Sequence, residues 1–165
     1  MEAAEHWSRT TGDLFAAAPY HGLADPLDRV LGYIDFRAWL LKGEVEGFTC
    51  LVGTMVQEAF ATSPAIRDAC DASISGHAAK LEADIAQAME QRGRTDVSAR
   101  SLALHTQAVL QGAFILAKAR GGPDVAVESL GHLKRYVQLL FQSSSHQGEG
   151  DPTCQNNPTI SSGMN

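Results

Sequence analysis

Six histidines, His6, His21, His77, His105, His132 and His146, and nine glutamates give this 165-residue chain the side chains that metal or acid–base chemistry uses. Their spacing does not support either. A di-metal carboxylate centre in a helical bundle needs a glutamate with a histidine three residues on, presented from facing helices. No glutamate here has one, and the histidines have no ligand spacing among themselves. His-Glu-x-x-His, Gly-x-Ser-x-Gly and the phosphate-binding glycine loop do not occur. The one Gly-x-Gly, at Gly148 and Gly150, is not followed by a helical pattern. The sequence therefore assigns no catalytic residue, no metal ligand and no cofactor, and the chain reads as a non-enzyme. An acid/base pair converging in a pocket is the one route to catalysis that spacing leaves open.

Polar residues at otherwise apolar positions are the better lead. Ile66, Cys70, Ile74, His77, Leu81, Ile85 and Met89 are spaced 4, 4, 3, 4, 4 and 4, one continuous helical face with His77 at its midpoint. His77 is either a core histidine satisfied by a carbonyl or water, or a donor and acceptor lining a ligand pocket. Gln57-Glu58 ends the nearly uncharged run "CLVGTMVQEA". The pair reads as exposed or capping, with the alternative that it turns inward and orients a ligand. His105 lies one turn before Val109 and two before Gly112-Ala113, which predicts an interior position. Phe36, Leu40, Met55, Ile74, His77 and His105 are the candidate pocket residues.

The elements that must position these groups are helical throughout, with no two-residue alternation. A first segment, Glu2 to Ala18, places Trp7, Thr11, Leu14, Phe15 and Ala18 on one stripe. Asp25-Pro26 is an N-cap acid followed by proline, and opens a helix with Leu27, Val30, Leu31, Ile34, Ala38 and Leu41 on one face. Residues 42–47 read as a loop, followed by a short helix from Phe48 to Ala61, apolar all round and expected to be covered on every side. Ser63-Pro64 repeats the cap and starts the longest helix, to about Gln91, which Gly93 closes in a left-handed C-terminal position. Two more helices follow, Asp96 to Arg120 and Asp124 to Gln142. The expectation is an all-α bundle of about six helices over residues 1–142, with residues 143–165 as a disordered polar tail.

Composition narrows the function classes. A net charge of −6 and a pI near 5.4, with scattered Lys and Arg, argue against nucleic-acid binding by this chain alone. Cys50, Cys70 and Cys154 are an odd number without a Cys-x-x-Cys, which reads as reduced thiols in a cytoplasmic protein. The acidic start Met1-Glu-Ala-Ala-Glu is unlike a signal peptide. No apolar run approaches the ~18 residues a membrane span needs.

"AVLQGAFILAKA" is apolar on every face, and the last helix carries Leu130, Leu133, Val137 and Leu140 at helical spacing. If one side of each helix packs on the core, the other exposes more apolar surface than monomers usually tolerate. The economical expectation is a homodimer in which these two helices of each subunit form a four-helix bundle. The interface expected is Gly112, Ala113, Leu116, Leu130, Leu133, Val137 and Leu140. The alternative is a larger intramolecular core.

"GFTCLVGTMVQEAFATSPAIRDACDASISGHAAKLEADIAQAMEQ", a break, then "SARSLALHTQAVLQGAFILAKARGGPDVAVESLGHLKRYVQLL" resembles the C-terminal effector-binding domain of TetR-family transcriptional regulators. The features that carry the resemblance are Gly-x-x-Cys-Leu-Val-Gly, Gln-Glu before Ser-Pro-Ala-Ile-Arg, and Leu-Gln-Gly-Ala before Gly-Gly-Pro. The resemblance covers roughly residues 1–141. It implies a helical bundle with an internal pocket for a small, mostly apolar effector, a dimer face on the last two long helices, and a role in repression. Family members usually begin with a basic helix-turn-helix domain, and this chain starts where the effector domain's first helix would be running. That departure fits a fragment, a mis-assigned start or a natural stand-alone sensor, and no DNA-contacting residue carries over. The rival reading is a stand-alone helical interaction protein that forms heterodimers with an intact regulator.

Overall fold

Local start and stop signals account for most of the boundaries in the computed structural model, which describes residues 2–142. The helices are α1 (Glu2–Ala16), α2 (Pro26–Trp39), α3 (Val45–Phe48), α4 (Leu51–Ala59), α5 (Pro64–Gln91), α6 (Ala99–Arg120) and α7 (Asp124–Gln142). A 3-10 turn, Pro19–Gly22, joins α1 to α2, and no strand occurs among the described residues. The fold is all-α, as the patterning predicts. The polar segment expected at 143–165 lies outside the described residues.

Asp25 caps α2: its carboxylate accepts from the Leu27 N–H at 2.7 Å, and Pro26 occupies the first helical position. Arg92 donates to the same carboxylate at 2.7 Å, and that bond holds the Asp25 carboxyl below its ordinary range. Ser63-Pro64 is only half such a device. Pro64 opens α5, but the Ser63 side chain makes no capping bond. Gly93, with φ of 62°, takes the left-handed position just past α5. α6 starts later than Asp96 because Arg94 engages that carboxylate at 2.9 and 3.0 Å, leaving Ser98 to cap the helix by accepting from the Ser101 N–H. The one-turn helix α3 takes up the end of what the sequence reads as loop and the first residue, Phe48, of the helix expected after it, which instead begins at Leu51.

α5 is the spine of the bundle, with α1, α2, α4 and α6 packed along it and α7 closing the far side against α2 and α6. Its predicted face is largely the buried one: Cys70, Leu81, Ile85 and Met89 are buried, while Ile66, Ile74 and His77 are half-buried. Most of the core, including Ile34, Ile85, Leu110, Leu130 and Val137, forms one cluster, and Val52 and Cys70 anchor a smaller one with Trp7, Met55 and Ile66 around it. Polar ties cross the helices. Arg29 donates to Asp84 and Gln87, both at 2.7 Å, linking α2 to α5. Lys118 on α6 donates to the Thr54 hydroxyl on α4.

α4 corrects an expectation. It is not covered on every side: it packs on α5 and α1, while Leu51, Gln57 and Glu58 face outward and Phe60, just past its end, is 61% exposed. A helix of nine residues surrounded on all sides would need neighbours that this topology does not supply. Gly53 does sit at a close approach, since a Cβ there would overlap the carboxamide of Gln111 on α6.

Candidate functional site

α1, α2, α5 and α6, with residues 47–50, converge on a central cavity of about 130 Å³. Its walls are apolar with a few polar groups aimed inward: Arg37 and Leu40 from α2, Ser73, Ile74 and His77 from α5, Gln107, Gln111 and Phe114 from α6. The end of α1 contributes Thr11 and Phe15, and Cys50 comes from the cap of α4. A second cavity of about 320 Å³ lies beside it, lined by Phe15, Tyr20, Tyr33, His77, Lys80 and Asp84 among others. Phe15 and His77 belong to both. Their rings meet edge to face at 5.2 Å and form the partition between the two chambers.

Each partition residue is held in place. Phe15 is in the last turn of α1 and is buried against Tyr33 and Phe36, at 5.8 and 5.5 Å. The Phe15 carbonyl accepts from the His21 ring N–H at 2.9 Å, which ties the end of α1 to the 3-10 turn. His77 stands half-buried on the α5 spine. Burial first, then the positive charges of Arg37 and Lys80, push its pKa down to about 4, so the ring is neutral near pH 7. A neutral imidazole offers one donor and one acceptor, which suits a binding wall.

Across the central cavity, Gln107 is buried and donates to the Tyr33 hydroxyl at 3.0 Å. Tyr20, in the neighbouring chamber, has its pKa raised to about 12, by burial first and then by Tyr33 and Asp84. It stays an un-ionised donor. Burial also raises the Cys70 thiol, with Cys50 adding to it; Cys70 sits in the small cluster with Val52, outside both chambers.

The candidate pocket residues separate into three groups. Leu40, Ile74 and His77 line the central cavity. Phe36 packs edge-on against Phe15 but borders an outer apolar groove of about 510 Å³, where it stacks on the exposed Trp39 at 5.9 Å. Met55 belongs to the small cluster around Val52 and Cys70, away from both chambers. His105 is the clear correction. It is exposed, and its ring meets Tyr136 of α7 at 5.6 Å. At roughly 100° per residue it falls about 60° outside Leu102, past the edge of the buried arc that runs from Leu102 through Thr106 and Leu110 to Gln107. Gln57 and Glu58 also point outward, Gln57 donating to the Gly53 carbonyl at 2.9 Å.

Among the cavity residues that spacing missed are Phe15, Arg37, Gln107, Gln111 and Phe114. Gln107 and Gln111 carried a usable signal: two carboxamides four residues apart in a helix that is otherwise apolar.

The expected dimer residues divide in the same manner. Leu130, Leu133 and Val137 are 1, 3 and 0% exposed and pack inside the protomer, as does Ala113, so none of them is available to a partner. The seam of α7 is spent on the chain's own core, where α2 and α6 cover it. Gly112 and Leu116 are exposed and Leu140 is half-buried.

Helical walls around a mostly apolar cavity, with a few polar groups converging in it, define an all-α bundle with an internal pocket. Among the described residues no cluster of three or more metal-ligating side chains forms, and no helix is long and apolar enough to cross a membrane. Residues 26–125 match the C-terminal domain of LmrA/YxaF-like transcriptional regulators, and the chain belongs to this TetR-type family. Its members' C-terminal domains are regulatory ligand-binding and dimerisation domains. Neither the comparison with curated proteins nor that with solved structures found a match.

Proposed function

We propose that this chain senses a small, mostly apolar molecule in the chambers on either side of the Phe15–His77 partition, and that it acts as a homodimer within a transcriptional regulator of the repressor type. The observation that carries this reading is the partition itself. The central chamber, about 130 Å³, is well below the roughly 300–1,000 Å³ of ordinary ligand sites. The neighbouring chamber, at about 320 Å³, reaches only the lower end of that range, and a ligand larger than either chamber would displace the Phe15 ring and occupy both. Phe15 sits in the last turn of α1, so displacement acts directly on that helix. A ligand shifts α1 only by its differential affinity for the two arrangements, typically ~1–3 kcal/mol of coupling. Chemistry on the ligand has no support here, and a non-enzymatic role fits the family.

For the partner face, the exposed side of α6 is the better candidate. Leu104, Ile115 and Leu116 stand out from it with the small residues Ala108 and Gly112 between them, and Tyr136 and Leu139 of α7 continue it. Small residues among large ones let two helix pairs approach closely. A second copy presenting the same face would bury both, giving an isologous four-helix contact.

Hydrogen exchange across α1 tests the sensing step. A screened ligand should change protection of residues 6–16 in the native chain, while in Phe15→Ala it should still bind but leave α1 unchanged. Equal α1 responses in both proteins would show that the partition does not transmit binding.

A further inference from the structure

Charge pairing around the central cavity is incomplete in a specific place. Four arginines of the described residues are half-buried: Arg29, Arg37, Arg92 and Arg94. Three hold an aspartate: Arg29 pairs with Asp84 at 2.7 Å, Arg92 with Asp25 at 2.7 Å and Arg94 with Asp96 at 2.9 Å. Arg37 has no carboxylate partner among the described residues. Its guanidinium instead lies over the rings of Phe15 and Phe114, with centroid distances of 5.0 and 5.5 Å. It lines the central cavity, and no aspartate or glutamate lines that cavity with it.

A half-buried guanidinium without a counter-ion keeps part of its desolvation cost, which an anion placed in the cavity would offset. The faces of Phe15 and Phe114 attract the cation but offer no lone pair to its five N–H donors, whose fork suits a planar, two-oxygen acceptor. Arg37 also stands close enough to His77 and Phe15 to meet whatever displaces the partition. The cavity's other polar groups, among them Gln107, Gln111 and the neutral His77, are uncharged and add no competing negative charge.

We infer that the ligand of this site is an apolar, preferably aromatic, carboxylic acid whose carboxylate pairs with Arg37. The assignment rests on the sensing function proposed above and adds a charge to it. The aromatic body lies among Phe15, Phe114, Leu40 and Ile74, and the carboxylate is held at the α2 wall by a bidentate guanidinium contact. Arg37 is thus the residue that discriminates an acid from its neutral analogue.

Isothermal titration of the whole chain at pH 7 with matched acid and amide pairs tests this: benzoate and benzamide, 4-phenylbutyrate and 4-phenylbutyramide, 1-naphthylacetate and 1-naphthylacetamide. At least one acid should bind about tenfold or more tightly than its own amide, the scale of a charge-assisted hydrogen bond. In Arg37→Met that ratio should fall to near one, with amide affinity little changed. Lys80→Met, which removes the cation of the neighbouring chamber, should leave the ratio intact. Amides that match or exceed their acids in the native chain overturn the inference without recourse to any variant, so a misfolded Arg37→Met does not protect it. A preference that survives in Arg37→Met overturns it as well. If neutral amides bind and acids do not, the sensing function stands and the carboxylate assignment fails. If no member of the series binds, both fail together.

Discussion

The inner and outer sides of the α6–α7 pair are built from similar residues and do different work. Inside, Leu110, Phe114, Leu130, Leu133 and Val137 are packed into the protomer. Outside, Leu104, Ile115, Leu116, Tyr136 and Leu139 stand in solvent, Leu139 at 56% exposure against 3% for Leu133. Hydrophobicity therefore does not distinguish the residues that fold the chain from those left on its surface. Position on the helix does, and it does so only once the neighbouring helices are known.

The sharpest way to break that contrast is to truncate one leucine on each side. Leu133→Ala should lower unfolding stability by roughly 2–5 kcal/mol, because it opens a cavity in a filled core. Leu139→Ala should change protomer stability by about 0.5 kcal/mol or less, as for an exposed site away from caps and cavities. Urea denaturation at low protein concentration, with the slope unchanged, measures both. Equal losses would mean that the two sides are not distinct.

A second test moves charge onto the outer side. Ile115→Glu combined with Leu139→Glu should leave helix content and the unfolding transition of the protomer in place. Sedimentation velocity should show a monomer where the native chain sediments as a dimer, since like charges would be buried against their own copies across a two-fold contact. A double variant that remains dimeric would move the interface elsewhere.

One histidine gives the inner side a pH dimension. His77, inside, has a pKa of about 4, against an ordinary 6.5. Between those values the unfolded chain binds a proton that the folded chain does not. The stabilisation from keeping this ring neutral is fully present above pH 6.5 and is lost as the pH falls toward 4. His77→Gln should therefore flatten the fall in melting temperature across that window. A native acid limb surviving in His77→Gln would assign the proton to another group.

Much of the bundle was legible from residues alone. The Asp25-Pro26 start, the Gly93 stop and the α5 face from Ile66 to Met89 are written in short-range chemistry and period, and these are the parts that match. Leu40, Ile74 and His77 were legible as cavity residues for the same reason: they sit where an inward face must be. The rest depended on which helix lies next to which. Leu133 is on a plausible apolar stripe, and the packing of α2 and α6 against α7 turns it inward, whereas His105 falls just outside the buried arc of α6, beside Tyr136. Arg37 was invisible because a cation on a helix reads as solvated. Its significance comes from what it lacks in three dimensions, a carboxylate, and from the two phenylalanines, far apart in sequence, that flank it.

Lys134 marks the border between the two sides and supplies the smallest test. At the sequence level it competes with Leu133 for a place in the α7 seam; in the fold Leu133 goes inside and Lys134 reaches past it to Asp35 on α2, with both carboxylate oxygens 2.8 Å from its ammonium. The side chains are 34% and 58% exposed, so solvent screens the attraction, and fixing two mobile side chains offsets part of what remains. Asp35→Asn should thus cost no more than about 1 kcal/mol, and the difference should shrink further as salt is raised. It should leave the oligomeric state untouched, because this pair lies on the α2 flank of α7 and Tyr136 lies on the α6 flank. A loss well beyond that size, insensitive to salt, would mean that the α2–α7 rim is part of the closed core and that the boundary between the inner and outer sides runs further out than Lys134.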